Sequence, residues 1–242
     1  MLTRGPSLTE QVKAYIKERI VGGDFEDGRI PPELELANEL GVSRTTVRDA
    51  LSRLEIEGAV VRKQGAGTFV NPPGLQIKLR LEEMWSYEAV LEAHGYTPSV
   101  QVLKVHEQTP DAQVVETFGL AAGAAVTVVE KLFSEDEAPV ILTLNQIPSA
   151  LIKRDYTEKD LGVPVYVFLA DFCNQRLHYY VSEIVPVTAT EHVARHLEVA
   201  PGTPLISFEE TGYSEENEAI LKATSFFRDD LLRLRLIRRR VL

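Results

Sequence analysis

Gly41-Val42-Ser43 is the stretch that most constrains this chain, because it is a three-residue turn set between two helical patterns. A turn of that length, with glycine in it, joins two short helices at a steep angle. Ahead of it, "IPPE" supplies a proline start for a helix over Glu33 to Leu40, with Leu36, Ala37 and Leu40 facing inward. Behind it, Ser43 is placed to cap a helix whose Val47, Leu51 and Leu54 form an apolar stripe. An earlier helix carries Leu8, Val12, Ile16 and Ile20 at four-residue steps and ends at Gly22-Gly23. After Gly58, "AVVRKQGAGTFV" predicts two short strands around a Gly-Ala-Gly turn.

Charge says what this arrangement is for. The chain of 242 residues has a formal charge of −10, which argues against indiscriminate coating of nucleic acid. Residues 1–72 nevertheless carry 10 Lys and Arg against 11 Asp and Glu, while the remainder carries 16 against 25. Within residues 43–67 the balance is five basic to three acidic. A helix that follows such a turn can lie in the DNA major groove with its first residues at the base edges. Here those residues are Ser43, Arg44, Thr45, Thr46 and Arg48. The planar fork of arginine matches two acceptors on guanine, and threonine hydroxyls suit phosphate oxygens. Arg62, Lys63 and Gln64 sit beside the glycine turn, where backbone could approach DNA closely. An isolated Arg-Thr-Thr triplet is usually a solvated helix face; the ordered set of helices, cap and hairpin is what makes it a docking surface.

"NPPGLQ", residues 71–76, reads as a break, since paired prolines cannot continue a helix or a central strand. The expected division is a first domain over 1–70, a linker over 71–77 and a second domain over 78–242. Beyond the break, helical patches near 82–93, 111–120, 163–173 and 189–197 interleave with strand-like runs. The runs lie near 100–105, 126–133, 140–147, 177–187, 205–213 and 219–227. Near the end, Leu232, Leu234 and Leu236 alternate with Arg233 and Arg235, a further strand pattern. Short connections between these runs imply an α+β domain on a largely antiparallel sheet. "SEDEAP" is a charged hairpin turn.

Other signals exclude more than they assert. The single cysteine, Cys173, rules out an intrachain disulfide and suits the reducing cytoplasm. No apolar run approaches the roughly 20 residues that span a bilayer, and the first ten residues lack a signal-peptide core. The five histidines show no metal-ligand spacing, and His178 reads as a hydrogen-bonded strand residue. Walker loop, nucleophile elbow and dinucleotide fingerprint are all missing, so neither cofactor nor catalysis is implied.

The run "LANELGVSRTTVRDALSRLEIEGAVVRKQGAGTFV" resembles the winged helix-turn-helix of the GntR family of bacterial transcription regulators, over about residues 8–70. Carried over by position, the resemblance implies DNA contacts from Glu33, Ser43, Arg44, Thr45, Thr46 and Arg48, and from Gln64 and Gly65 at the wing. Leu34 departs from the family, which often has arginine there. From about residue 78 the chain resembles the effector domain of the HutC subfamily, the UTRA domain, with the chorismate lyase fold. The pieces that carry this include "GYTPSVQVL", "LAAGAAVTVVEKLF", "APVILTLNQIP" and "SFFRDD".

Members that bind a phosphorylated amino sugar present an Arg-x-Arg pair, a glutamate and a Ser-x-Tyr. The corresponding positions here are Lys131 and Phe133, then Thr143, then Pro164 and Tyr166. Lysine does not replace arginine in planar recognition of phosphate. The expected pocket is therefore more apolar and less suited to sugar phosphates, with Lys131, Phe133, Thr143, Tyr166 and Phe227 as candidate effector residues. The resemblance implies a homodimeric repressor on a near-palindromic operator, modulated by a small molecule. Two rivals remain: a second domain that only oligomerises, and a lyase-like enzyme.

Overall fold

The computed structural model describes residues 6–76, 84–93 and 95–228. The chain divides into two compact units, one containing residues 6–76 and the other 84–228.

The first unit is a winged helix-turn-helix. Helix α1 (Leu8–Gly22) starts where the Ser7 hydroxyl accepts from the Glu10 amide, and stops at Gly23 in the left-handed region. A two-residue strand β1 (Arg29–Ile30) follows, then α2 (Glu33–Leu40) and α3 (Arg44–Ile56). Gly41, at φ 64° and ψ 31°, ends α2 in a conformation that costs glycine little. Strands β2 (Val60–Lys63) and β3 (Gly67–Val70) form the wing, with sheet order β1-β3-β2. Val12, Ile16 and Ile20 from α1 meet Leu36 from α2 and Val47, Leu51 and Leu54 from α3 in one core. Leu8, expected in the first stripe, is exposed, because it lies a turn short of that core.

The break expected at 71–77 needs correction for residues 71–75. Pro72–Leu75 forms a short helix, α4, in which the prolines occupy the first positions, where a missing N–H costs nothing. Asn71 donates from its backbone to Ala59 (2.9 Å) and from its side chain to Gly58 (2.8 Å), and Leu75 packs on the first core. A Cβ on Gly74 would stand 2.0 Å from the Gly58 carbonyl oxygen, so this close approach requires glycine.

The second unit contains α5 (Tyr87–Ala93), β4 (Pro98–Gln108), α6 (Ala112–Phe118), β5 (Val126–Glu135) and β6 (Ala138–Pro148). It continues with α7 (Glu158–Leu161), α8 (Val165–Cys173), β7 (Leu177–Thr188), α9 (Glu191–Leu197), β8 (Pro204–Ser214) and β9 (Ala219–Phe227). The six strands pair antiparallel in the order β4-β5-β6-β9-β8-β7. All six expected strands in 98–227 are present; the pattern at 232–236 lies outside the described residues. Asp136 and Glu137, both at positive φ, make the charged hairpin turn between β5 and β6. The sheet has two buried faces. Leu142 and Leu205 pack with Val193, Ala194 and Leu197 of α9 on one, and Val129 and Ala223 pack with Phe168 and Leu169 of α8 on the other. The fold is α+β throughout. Among the described residues no helix is long and apolar enough to cross a membrane.

Candidate functional site

On the first unit the candidate residues gather at the start of α3. The Ser43 hydroxyl accepts from the Thr46 amide at 3.1 Å and contacts the Thr46 hydroxyl at 2.8 Å, so two of the expected contact residues also build the cap. Thr45 is exposed beside them. Arg44 and Arg48, four residues apart, share one face. Both converge on Glu33 of α2, at 3.0 Å from Arg44 Nε and 3.3 Å from an Arg48 terminal nitrogen. Burial pushes the Glu33 carboxyl up, but hydrogen bonds from Arg48 and Arg44 outweigh it and hold it below its usual value. The arginine side chains remain half exposed or more, so Glu33 orients the pair without burying it.

The other basic residues divide. Arg53 points back to Glu10 of α1. Arg62, expected beside the wing tip, donates to the Arg48 carbonyl (3.2 Å) and the Ser52 hydroxyl (3.1 Å) and pairs with Glu55. It braces the wing against α3. Lys63 lies over the Phe69 ring at 4.8 Å on the opposite face of the strand. Gln64 is exposed at the tip, and Gly65, at φ 73°, has open space where a side chain would be. Arg29, which the sequence did not single out, donates to the Ala66 carbonyl at 3.3 Å and steadies the tip.

On the second unit a cavity of about 550 Å³ opens on the sheet face that carries Lys131 and Phe133. Two-residue alternation brings Thr143 and Asn145 of β6, Ser225 of β9 and Glu210 of β8 to the same wall. Residues 84–88 and the first turn of α8 close the other side. Lys131, Phe133, Thr143 and Tyr166 therefore come together as expected, with Tyr166 partly exposed. Phe227 does not line the cavity. It is buried behind the wall, 5.6 Å from the Tyr87 ring and 4.9 Å from Phe208. His178 is exposed at the cavity rather than satisfied within the strand.

The electrostatics differ from the apolar pocket the sequence implied. Lys131 is buried and donates to the Val163 carbonyl at 2.6 Å. Burial brings its pKa down to about 8, against the opposing pull of Glu88. Burial raises the Glu210 carboxyl, opposed by the Ser182 hydroxyl, which donates to it at 2.5 Å. Tyr87 donates to the Ser225 hydroxyl at 2.7 Å, and its own ionisation is pushed far up by burial. The polar wall thus pairs one buried cation with two carboxylates. Glu88, Glu210, Tyr87 and Trp85 were missed because Lys131 and Phe133 were picked out by family correspondence; two-residue alternation along β8 could have placed Glu210 on the same face as Phe208.

Comparison with known proteins agrees with both units. The family of bacterial regulatory proteins, gntR family, matches residues 8–70, and the UTRA domain matches residues 93–233. The histidine utilization repressor of Pseudomonas putida is 31% identical over 199 residues, covering 81% of this chain and 75% of that protein. The HTH-type transcriptional repressor NagR of Bacillus subtilis is 25% identical over 221 residues, covering 91% and 90%. A solved structure, the possible transcriptional regulator YydK of Bacillus subtilis, superposes with a TM-score of 0.74 at 13% identity, over 99% of this chain and 100% of that one. That last likeness concerns the fold alone.

Proposed function

This chain belongs to the gntR family of bacterial regulatory proteins, in its HutC branch with a UTRA domain, and we propose that it represses transcription by binding an operator under control of a small molecule. The observation that carries the DNA half is the Glu33-held arginine pair on the first turns of α3. Ser43, Arg44, Thr45, Thr46 and Arg48 meet the major groove, with Gln64 and Gly65 at the wing tip. Two relatives are named as repressors, which supports the sign. The protein acts as a homodimer on a near-palindrome, each copy reading a half-site about one helical turn from the other. Strand β7, an edge of the sheet among the described residues, with Val181 exposed, supports pairing of two copies through the second domain. The domain boundary falls after α4, not before it.

The cavity takes a small organic acid. Its acidic group faces Lys131 and the start of α8, which no side chain caps, and a donor group faces Glu210. A phosphate dianion is disfavoured, because Glu88 and Glu210 share the cavity with Lys131. Ligand changes DNA affinity only through unequal affinity for the DNA-competent and incompetent states.

Anisotropy titrations with duplexes selected from a random pool test the DNA half. Arg44→Ala is expected to cost about 1–3 kcal/mol and to relax preference at one base pair. Unchanged affinity and preference would sink the docking geometry. Thermal shifts against a metabolite set test the other half, since a ligand at a hundredfold of its Kd adds about 2.7 kcal/mol. Organic acids should give shifts that Lys131→Met loses; selective stabilisation by sugar phosphates would overturn the ligand class.

A further inference from the structure

His192 and His196 lie four residues apart on α9, a spacing already present in the sequence, and the fold adds Glu130 of β5 beside them. We propose that Glu130, His192 and His196 form a binding site for a divalent transition-metal ion of the zinc type, on the sheet face opposite the cavity. One donor atom from each of the three residues lies within 4.8 Å of the other two. Tetrahedral zinc, with bonds of about 2.0–2.2 Å, needs its donors about 3.3–3.6 Å apart. The required closure calls for a turn of the His192 ring, whose side chain is 51% exposed and would exchange its hydrogen bond to Glu130 for the metal.

The protonation pattern suits a metal. His196 Nδ1 lies 3.0 Å from the His192 backbone carbonyl, which can only accept, so this nitrogen carries the hydrogen. The Nε2 lone pair of His196 is then left for a ligand, and a backbone carbonyl behind the other nitrogen is the usual way a metal-binding imidazole is oriented. Glu130, only 7% exposed, sends one oxygen to His192 Nε2. Their spacing on α9 brings the His196 ring to 4.5 Å from that of His192, tilted by 59°, so that both imidazoles stand beside the Glu130 carboxylate. Two imidazoles and one carboxylate, with the outer side open to solvent, fit zinc with one position left for water.

The site is separate from the effector reading. Its strand position, next to Lys131, puts it on the reverse of the same strand, since successive side chains alternate faces. Metal binding would therefore be measurable with the cavity empty.

The test is calorimetric titration of Zn2+ into full-length protein stripped with chelator, repeated with Co2+ followed by its visible absorption. Wild type should take one ion per chain, and His196→Ala should weaken binding at least about 100-fold. Glu130→Gln should do the same; should that variant fail to fold, His196→Ala, which alters a partly exposed residue, decides alone. His178→Ala should bind as wild type does. Binding below one ion per chain, equal binding by His196→Ala, or a Co2+ spectrum with thiolate charge transfer would each overturn the assignment.

Discussion

In the first unit the arginine pair proposed to read DNA lies within two turns of one helix, exposed and oriented by a single carboxylate from the preceding helix. In the second, Lys131, Thr143, Glu210 and Ser225 come from four strands and meet only because the sheet orders them β5-β6-β9-β8. One site is local and charged toward solvent; the other is assembled at long range around a buried lysine. The local site depends on a small core beneath it, whereas the buried site works against the stability of the sheet that holds it.

Truncating the small core should have the largest effect. Leu51 is almost fully buried among α1, α2 and α3, so Leu51→Ala should cost about 2–5 kcal/mol. Hydrogen exchange would show protection lost across residues 8–70, and DNA binding lost with it. Loss confined to α3 would mean that the three helices do not share one core.

Lys131→Met should act in the opposite direction. The folded pKa of about 8 lies below the ordinary 10.5, so between these values the unfolded chain binds more protons than the folded one. Stability due to this residue therefore rises with pH across that window, and its burial penalty is fully present below about pH 8. Removing the amine should stabilise the protein at pH 7 by on the order of 3 kcal/mol and flatten that rise. Urea unfolding at pH 7 and pH 9.5 would measure both. A destabilised variant would show that the bond to Val163 outweighs the cost of burying the charge.

Gly74→Ala sharpens the comparison where the units are drawn apart. Its Cβ would collide with the Gly58 carbonyl, so α4 must shift, at about 1–3 kcal/mol, and the first unit should lose thermal stability. No change would mean that residues 71–76 are not part of that unit.

The winged unit was legible because its signals are local: a cap, a glycine turn and a four-residue apolar step each act within a few residues of themselves. α2 spans Glu33 to Leu40, as the proline start and the turn implied. "NPPGLQ" misled because proline breaks a helix in its interior but opens one at its first turn, and the Gly58 contact that uses α4 is absent from the local sequence. Arg62, on the wing strand β2, was expected beside the glycine turn, and only the structure shows its bonds to α3. In the second unit the strand-like runs were readable, but a run does not say which strands are neighbours. That left Phe227 misplaced behind the wall and Glu210 unnoticed within it.

By itself the sequence determined the three helices and two wing strands of the first unit, the six strand runs of the second and the identity of the groups at the head of α3, because backbone preference and side-chain period are local properties. Only the tertiary structure decided which charges meet. Glu33 between two arginines, Lys131 facing two carboxylates, and Glu130 beside two histidines all depend on how helices and strands pack, and Coulomb energies follow distance in space rather than along the chain.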